Sequence, residues 1–496
     1  MHNALISAHE LLRRGALREA ESACQQALAA TNGRDPQAWT TLGIIMRQQG
    51  RLSDAESAYR RAITLSPTDV SAHHALGALL SQMERAEEAL SALNHAQSLG
   101  LNARELHINR GRALLQLYHP DEAEQDYARA VALEPRDPVA QSSLAQLRFM
   151  RGDPAFARDI AAAAIANPTD PALQLALGDL MRRSGNLPAA ETVLRAVIRS
   201  QGPVPELRAA LAAVLHEAGR LKEAEIEALE ASVARPHDAA ILESLIGIVL
   251  GRGRPDEAMP LIRAQRRKQP QDQRWIAYEA TAARLLQEPL YRELYDYERL
   301  VRVYDIEPPP GWSSVAELNA AVAEKLRARH RFNTHPLDQS LRNGSQTARS
   351  LLTEPDPTIQ ALLGAFAAPI AAYVASLGSE RDHPISGRNR GGAALKGCWS
   401  VELRRNGFHV NHVHPQGWIS SAYYVAVPPD VADAAAKSGW IKFGEPGVPV
   451  AGAGAEHFVQ PRPGRLVLFP SYMWHGTNAI TGDETRLTVA FDAVPV

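Results

Sequence analysis

Only two cysteines, Cys24 and Cys398, occur in 496 residues, and they stand far apart. That excludes a disulfide framework and any CxxC pair, and it points to a reducing, cytoplasmic setting. An excess of one charge is missing too: 53 Lys and Arg balance 55 Asp and Glu, for a net charge of −2. No basic footprint for nucleic acid follows. The densest basic run, Arg263 to Lys268, falls on a predicted helix and reads as a solvated face. Long apolar runs are scarce. The first fifteen residues lack the apolar centre of a signal peptide. Residues 361–378 are apolar, yet Gly364 and Pro369 interrupt them, so a buried helix is expected rather than a membrane span. Neither a membrane nor a nucleic acid is an expected partner. The motifs GxxxxGK[ST], HExxH and GxSxG are absent, and the glycine-rich stretch Gly387 to Gly392 lacks the setting of a dinucleotide loop. What is present, 45% hydrophobic and 22% charged residues, suffices for globular cores in about two to four domains.

The first half repeats itself. Alanines recur at Ala20, Ala55, Ala89, Ala123, Ala157, Ala190, Ala224 and Ala258, with spacings of 33 to 35 residues. A glycine stands five residues before six of them: Gly15, Gly50, Gly152, Gly185, Gly219 and Gly253. Arg85 and His119 stand where glycine is usual in the other two units. Prolines at Pro67, Pro135, Pro168, Pro236 and Pro270 keep near the same period. Each unit reads as two antiparallel helices. A small alanine lets them cross closely, a glycine closes the first in a left-handed cap, and proline sits between hairpins. The unit from Asp35 to Pro67, with Trp39, Leu42, Gly43, Gly50, Ala55, Tyr59 and Ala62, closely resembles the tetratricopeptide (TPR) family. The resemblance covers about residues 1–270, as roughly eight units. It implies an all-α superhelix whose concave face binds a protein or peptide; a scaffold for dimerisation or for the next domain is the other reading.

After Pro270 the period fades. Trp275, Tyr278, Tyr291, Tyr295, Tyr297 and Tyr304 are expected to pack in a closing helical cap over 271–305, which leads into a linker where Pro308-Pro309-Pro310 break the helical pattern, cap and linker together spanning 271–310. From about residue 311 the composition changes. Residues 335–347, HPLDQSLRNGSQT, are polar and aperiodic, and read equally as a loop lining a site through Gln339, Ser340, Arg342 and Gln346 or as a surface loop. Beyond Leu395 short β-branched or aromatic runs appear at 399–403, 418–427, 440–443, 465–469 and 487–491, separated by Gly, Pro and Asn. Several short strands suggest a sandwich or jelly roll. Residues 444–455 are glycine-rich, either a mobile lid or a plain hairpin loop.

Within this β region lies a concentration of histidine. On a strand, His412 and His414 face one side, and His475 follows a distant strand. Three such side chains could hold one metal and leave positions open; imidazole alone does not choose among iron, zinc, copper and nickel. His409 is the alternative to His414 if the register differs, and Asn411 is a neighbour that could line the site. Arg486, eleven residues after His475, could hold one end of a dicarboxylate in bidentate fashion, with Thr488 adding a hydroxyl.

The stretches GFHVNHVHPQGWISSAYYV, GWIKFGEP, PRPGRLVLFPSYMWHGT and GDETRLTVAFD, together with HPLDQSLRNGSQT, resemble the 2-oxoglutarate/iron(II) oxygenase superfamily, in its bacterial and phage branch often fused to TPRs. The resemblance covers about 311–496. It implies a double-stranded β-helix (jelly-roll) domain with flanking helices. It further implies iron(II) on His412, His414 and His475, 2-oxoglutarate at Arg486, Thr488 and Tyr424, and O2 as oxidant, with no catalytic residue beyond the metal ligands. One departure stands out. The superfamily usually has His-x-Asp or His-x-Glu, whereas this chain has His412-Val413-His414, which leaves the site one negative charge short. The expected function is a hydroxylase whose TPR array recruits a protein or peptide. Two alternatives are a non-catalytic interaction protein with an inert or merely metal-binding jelly roll, and a three-histidine cupin-like dioxygenase that does not use 2-oxoglutarate. Arg486 argues against the last.

Overall fold

The computed structural model describes the chain except for Met1 and Pro203. It divides into two compact units, Met1–Leu147 and Arg148–Val496. The division falls inside the expected 1–270 array rather than at its end.

In the first unit, helices of 12 to 14 residues follow one another from His2–Arg13 onward. The recurring alanines Ala20, Ala55, Ala89 and Ala123 are completely buried where paired helices cross. A second small residue makes each crossing close. A Cβ at Gly43 would stand 2.5 Å from the Tyr59 ring, and one at Gly111 2.6 Å from that of Tyr127. Gly50 ends its helix with φ 78°. In the next two units the left-handed residues are Glu84 (φ 59°) and Tyr118 (φ 62°). The expectation that Arg85 and His119 fill the glycine position is therefore one residue late: both are N-caps of the following helices. Arg85 has a different part. It reaches back to Glu56 on the preceding hairpin, as Arg51 does to Glu21.

The second unit opens with the same devices. Ala190, Ala224 and Ala258 are completely buried, and Gly185, Gly219 and Gly253 have positive φ. Arg220 and Arg254 pair with Glu191 and Glu225. The irregular member is the repeat at Ala157, whose second helix starts only at Arg158 and runs nine residues. The end of the preceding helix is used elsewhere: the Met150 carbonyl accepts from Asn333 and Thr334 amides at 2.8 and 3.0 Å. The basic run is partly neutralised, since Arg263 and Arg266 both pair with Glu279.

The segment expected to be cap and linker holds a helix, Gln273–Leu285, two short helical turns, and then a strand, β1 (Arg302–Asp305). That strand stands where the end of the helical cap was expected, ahead of the prolines read as linker. Its Val and Tyr favour extended backbone ahead of the prolines, and it joins the edge of a sheet beside β7 (Arg465–Pro470), with Arg302 opposite Leu468. The aromatic stretch does pack, against the β region: the Trp474 amide donates to the Tyr295 hydroxyl (2.9 Å), its indole N–H to Thr281 (3.0 Å), and the Tyr472 hydroxyl to the Leu294 carbonyl (3.0 Å).

The remaining strands are β2 (Leu341–Gln346), β3 (Ala393–His409), β4 (Ile419–Ala426), β5 (Ile441–Phe443), β6 (His457–Val459), β8 (His475–Thr477) and β9 (Arg486–Pro495). All pair antiparallel, in one sheet of order β1-β7-β4-β9-β3-β2 and a second of order β6-β5-β8. Phe443 of the small sheet meets Phe469 of the large one edge to face at 5.0 Å. Helices Val315–Arg327, Pro357–Ala365 and Ala367–Ser376 flank the large sheet. Residues 357–376 are long and apolar enough to cross a membrane by length and composition. Here they break at Phe366, and Leu362, Phe366, Ile370 and Tyr373 enter the core. Pro369 lies in the first turn of the second helix, where no N–H is needed.

Candidate metal centre

Strand β3 ends at His409, and after a bend at Asn411 the chain pairs again at His412. His412 makes a two-hydrogen-bond bridge with His475, N to O at 2.9 and 3.1 Å, and the His414 amide donates to the Ser471 carbonyl at 3.0 Å. Two tethers thus bring three histidines from two segments together, with one ring nitrogen of each within 4.8 Å of the others.

The rings share one arrangement. Nδ1 of His412 donates to the Val410 carbonyl (2.8 Å), Nδ1 of His475 to the Met473 carbonyl (2.9 Å), and Nδ1 of His414 to both oxygens of Asp492 (2.6 and 2.7 Å). An Nδ1 bound to an acceptor fixes the tautomer and leaves the Nε2 lone pair for a metal. Among the described residues, none of the three Nε2 atoms has a hydrogen-bond partner. Burial, with the neighbouring His414 second, lowers His412 to about 3; burial also holds His475 well below the ordinary histidine range. Metals bind imidazole in its neutral form, so this setting suits a ligand set.

Strand β9 supplies the rest through its period of two. Arg486, Thr488, Ala490 and Asp492 all line one cavity, and so do the three histidines. Arg486 is 2% exposed, with one Nη donating to the Gly439 carbonyl and its guanidinium 5.8 Å from the Tyr424 ring centre. No carboxylate lies within 4 Å of it among the described residues; Asp483, in the turn before it, pairs with Arg405 instead. Its Nε and the Tyr424 hydroxyl are buried without a hydrogen-bond partner. Removing the partner of a buried charge costs several kcal/mol, so a guanidinium buried without a counter-ion is an unusual feature of this corner. Thr488, opposite Tyr424 in the sheet, has its hydroxyl on the Val401 carbonyl at 3.3 Å. The donor set and this empty-handed guanidinium fit a metal chelated by one end of a dicarboxylate whose other end reaches Arg486.

The polar segment 335–347 does line the cavity, through Gln339, Ser340, Arg342 and Gln346. His409 lines it too, but its ring bonds to Ser340 (2.9 Å) and it stands outside the triad. Asn411 does not: it stands at the bend before His412, donates to the Pro446 carbonyl and lines a smaller cavity. The glycine-rich stretch 444–455 is a hairpin connection pinned in place, with Arg284 donating to the Gly444 and Gly454 carbonyls at 2.9 and 3.0 Å. Two contributors were missed by sequence reasoning. One is Asp492, whose even spacing from Arg486 was a readable signal. The other is the helical-repeat wall of the cavity, Arg182 to Leu187 with Glu217 and Arg274, which only the fold brings near.

Residues 397–492 match the family model described as "Putative 2OG-Fe(II) oxygenase", and residues 7–70, 108–171 and 175–239 match a tetratricopeptide-repeat model. Among curated proteins nothing matches the chain. Similar solved structures include a tetratricopeptide repeat protein from Parabacteroides merdae (21% identity over 49% of this chain and 96% of that one, TM-score 0.38). Yeast Tom70 is similar at 17% identity over 57% and 61%, TM-score 0.46. A third is the TPR protein TTC0263 of Thermus thermophilus, at 24% over 36% and 98%, TM-score 0.32. By the two family models, the chain carries tetratricopeptide repeats within residues 7–239 and a domain at 397–492 that matches the model named for 2-oxoglutarate/iron(II) oxygenases.

Proposed function

We propose that this protein is an iron(II)- and 2-oxoglutarate-dependent oxygenase, a hydroxylase acting on a protein or peptide recruited through its helical repeats, in the cytoplasm. The observation that carries the reading is Arg486: a buried guanidinium with no carboxylate partner among the described residues, in the same cavity as three histidines with free Nε2 atoms. A three-histidine centre that did not use 2-oxoglutarate would have no use for it. An inert jelly roll would pay for burying it with nothing in return.

His412, His414 and His475 would hold the iron. Arg486 would take the far carboxylate of the cosubstrate, with the Tyr424 hydroxyl and Thr488 beside it. When bound, the iron would activate O2 as the oxidant, one oxygen atom going into a substrate C–H bond and the other into 2-oxoglutarate, which is oxidised and leaves as succinate and CO2. The chain's own residues set geometry and exclude water. Ala490, between Thr488 and Asp492 on the strand face, is small and leaves room over the histidines. The cavity, about 1280 Å³, exceeds the roughly 300–1,000 Å³ of pockets that take a small ligand alone, so space remains for a substrate side chain. One wall of that space is the turn Arg182 to Leu187 between two repeat helices, which supports a polypeptide passing from repeats to site.

The test is an anaerobic titration of the protein with iron(II) and then 2-oxoglutarate, followed by visible absorption. A charge-transfer band that needs both components is expected. Iron binding with no further change on adding 2-oxoglutarate would leave the interaction-protein reading standing instead.

A further inference from the structure

Iron centres of this type ordinarily combine two imidazoles with one carboxylate, which cancels one charge of the metal. Here the third ligand position carries His414. The carboxylate is nevertheless nearby. Asp492 accepts the Nδ1–H of His414 on both oxygens, at 2.6 and 2.7 Å. It is itself fixed: Ser420 donates to it at 2.7 Å and contacts Ser471 at 2.8 Å. The main chain of Ser471 holds the His414 amide at 3.0 Å, and the Trp399 ring stacks on the imidazole with centres 5.8 Å apart. The other two ligand histidines rest on neutral main-chain carbonyls. Only His414, in the place where a charged ligand is expected, rests on an anion.

We infer that Asp492 is a positioning residue that returns the missing negative charge to the centre through His414, so that the His414–Asp492 pair does the work of the carboxylate ligand. A carboxylate hydrogen-bonded to a ligand imidazole makes that imidazole more basic and fixes its free nitrogen on the metal. The neighbouring chain fits this role. A Cβ at Gly417 would stand 2.3 Å from the Ser471 hydroxyl, so the glycine lets the turn after His414 pack closely against the serine that contacts Ser420. The inference rests on the metal-centre part of the proposed function but not on 2-oxoglutarate turnover.

The test measures the affinity of the purified full chain for cobalt(II), by its visible spectrum, with Asp492→Asn, Asp492→Glu and His414→Ala as variants. Asp492→Asn keeps size and one acceptor but removes the charge. A 10- to 100-fold weaker cobalt affinity with a shifted cobalt band is expected, and Asp492→Glu should recover part of the loss. In the His414→Ala background, Asp492→Asn should cost nothing further, which a merely structural role would not give. The melting temperature of each metal-free variant separates loss of fold from loss of metal. Unchanged cobalt affinity in Asp492→Asn overturns the inference, and so does an equal loss with and without His414. If the unaltered chain binds cobalt but never 2-oxoglutarate, the oxygenase reading fails while this inference stands; if it binds no metal, both fall.

Discussion

The helical repeats and the metal site use side chains in opposite ways. In the repeats each device recurs about every 34 residues, and copies can lapse: Glu84 and Tyr118, in two successive units, take the left-handed position that Gly50 fills before them. The site has no spare parts. Three histidines, one arginine and one aspartate are each present once, held by single tethers such as the His412–His475 bridge. The lesson is that the repeats tolerate substitution gradually, whereas the site should fail at single positions while the fold persists.

The largest expected effect is in the site. His475→Ala removes one of three ligands and should weaken metal affinity beyond the 10- to 100-fold typical of losing an outer partner, with melting of the repeats unchanged; calorimetry of metal binding beside thermal unfolding reads both. The mirror experiment is Gly43→Val. The added carbons meet the buried Tyr59 ring, so unfolding free energy of the first unit should drop by about 1–3 kcal/mol while metal affinity stays the same. If metal binding falls with it, the two regions are not separable in the way the comparison states.

A smaller effect is acid sensitivity of the second unit. Burial lowers His330, which bonds to Ser345 and Ser400, to about 4. The unfolded chain takes that proton near 6.5, so it binds more protons than the folded chain between the two values. Stability is therefore full above about pH 6.5 and declines as pH falls toward 4, by about 1–2 kcal/mol at pH 5. In His330→Gln the decline of melting temperature with acid should be shallower; an unchanged slope would place the acid sensitivity elsewhere. The smallest effect is again in the repeats. Glu84→Gly gives the left-handed position its natural residue and should raise stability by about 0.5–1 kcal/mol, by chemical denaturation.

How much of this was legible in the sequence follows the same divide. Periodic features were readable because the period itself is the signal: the left-handed glycines and the prolines in turns fall where the spacing places them, and so do the buried alanines apart from Ala157, which is only half-buried in the irregular repeat. The one slip, at Arg85 and His119, came from reading a residue type where position mattered. Five strands, β3, β4, β5, β7 and β9, were readable from β-branched or aromatic runs; β1, β6 and β8 were not, being only three or four residues long, and neither was β2, whose polar sequence LRNGSQ read as a loop. In the site, the same-side rule grouped His412 with His414 and Arg486 with Thr488. Applied further, it would have excluded Asn411 and reached Asp492. The turn Arg182 to Leu187 gave no local signal at all, since its place beside the cavity depends on how the last repeats pack on the β region.

The central claim is that Arg486 anchors the cosubstrate of the three-histidine centre. It is tested most directly by isothermal titration of 2-oxoglutarate into the iron(II)-loaded protein without oxygen, for the unaltered chain and for Arg486→Lys and Arg486→Ala. Losing the forked, charge-assisted hydrogen bonds is worth roughly 1.5–3 kcal/mol, so Arg486→Lys should bind on the order of tenfold to a hundredfold more weakly, and Arg486→Ala more weakly still, with iron binding retained. Equal affinity for 2-oxoglutarate in the unaltered chain and Arg486→Ala would contradict the account.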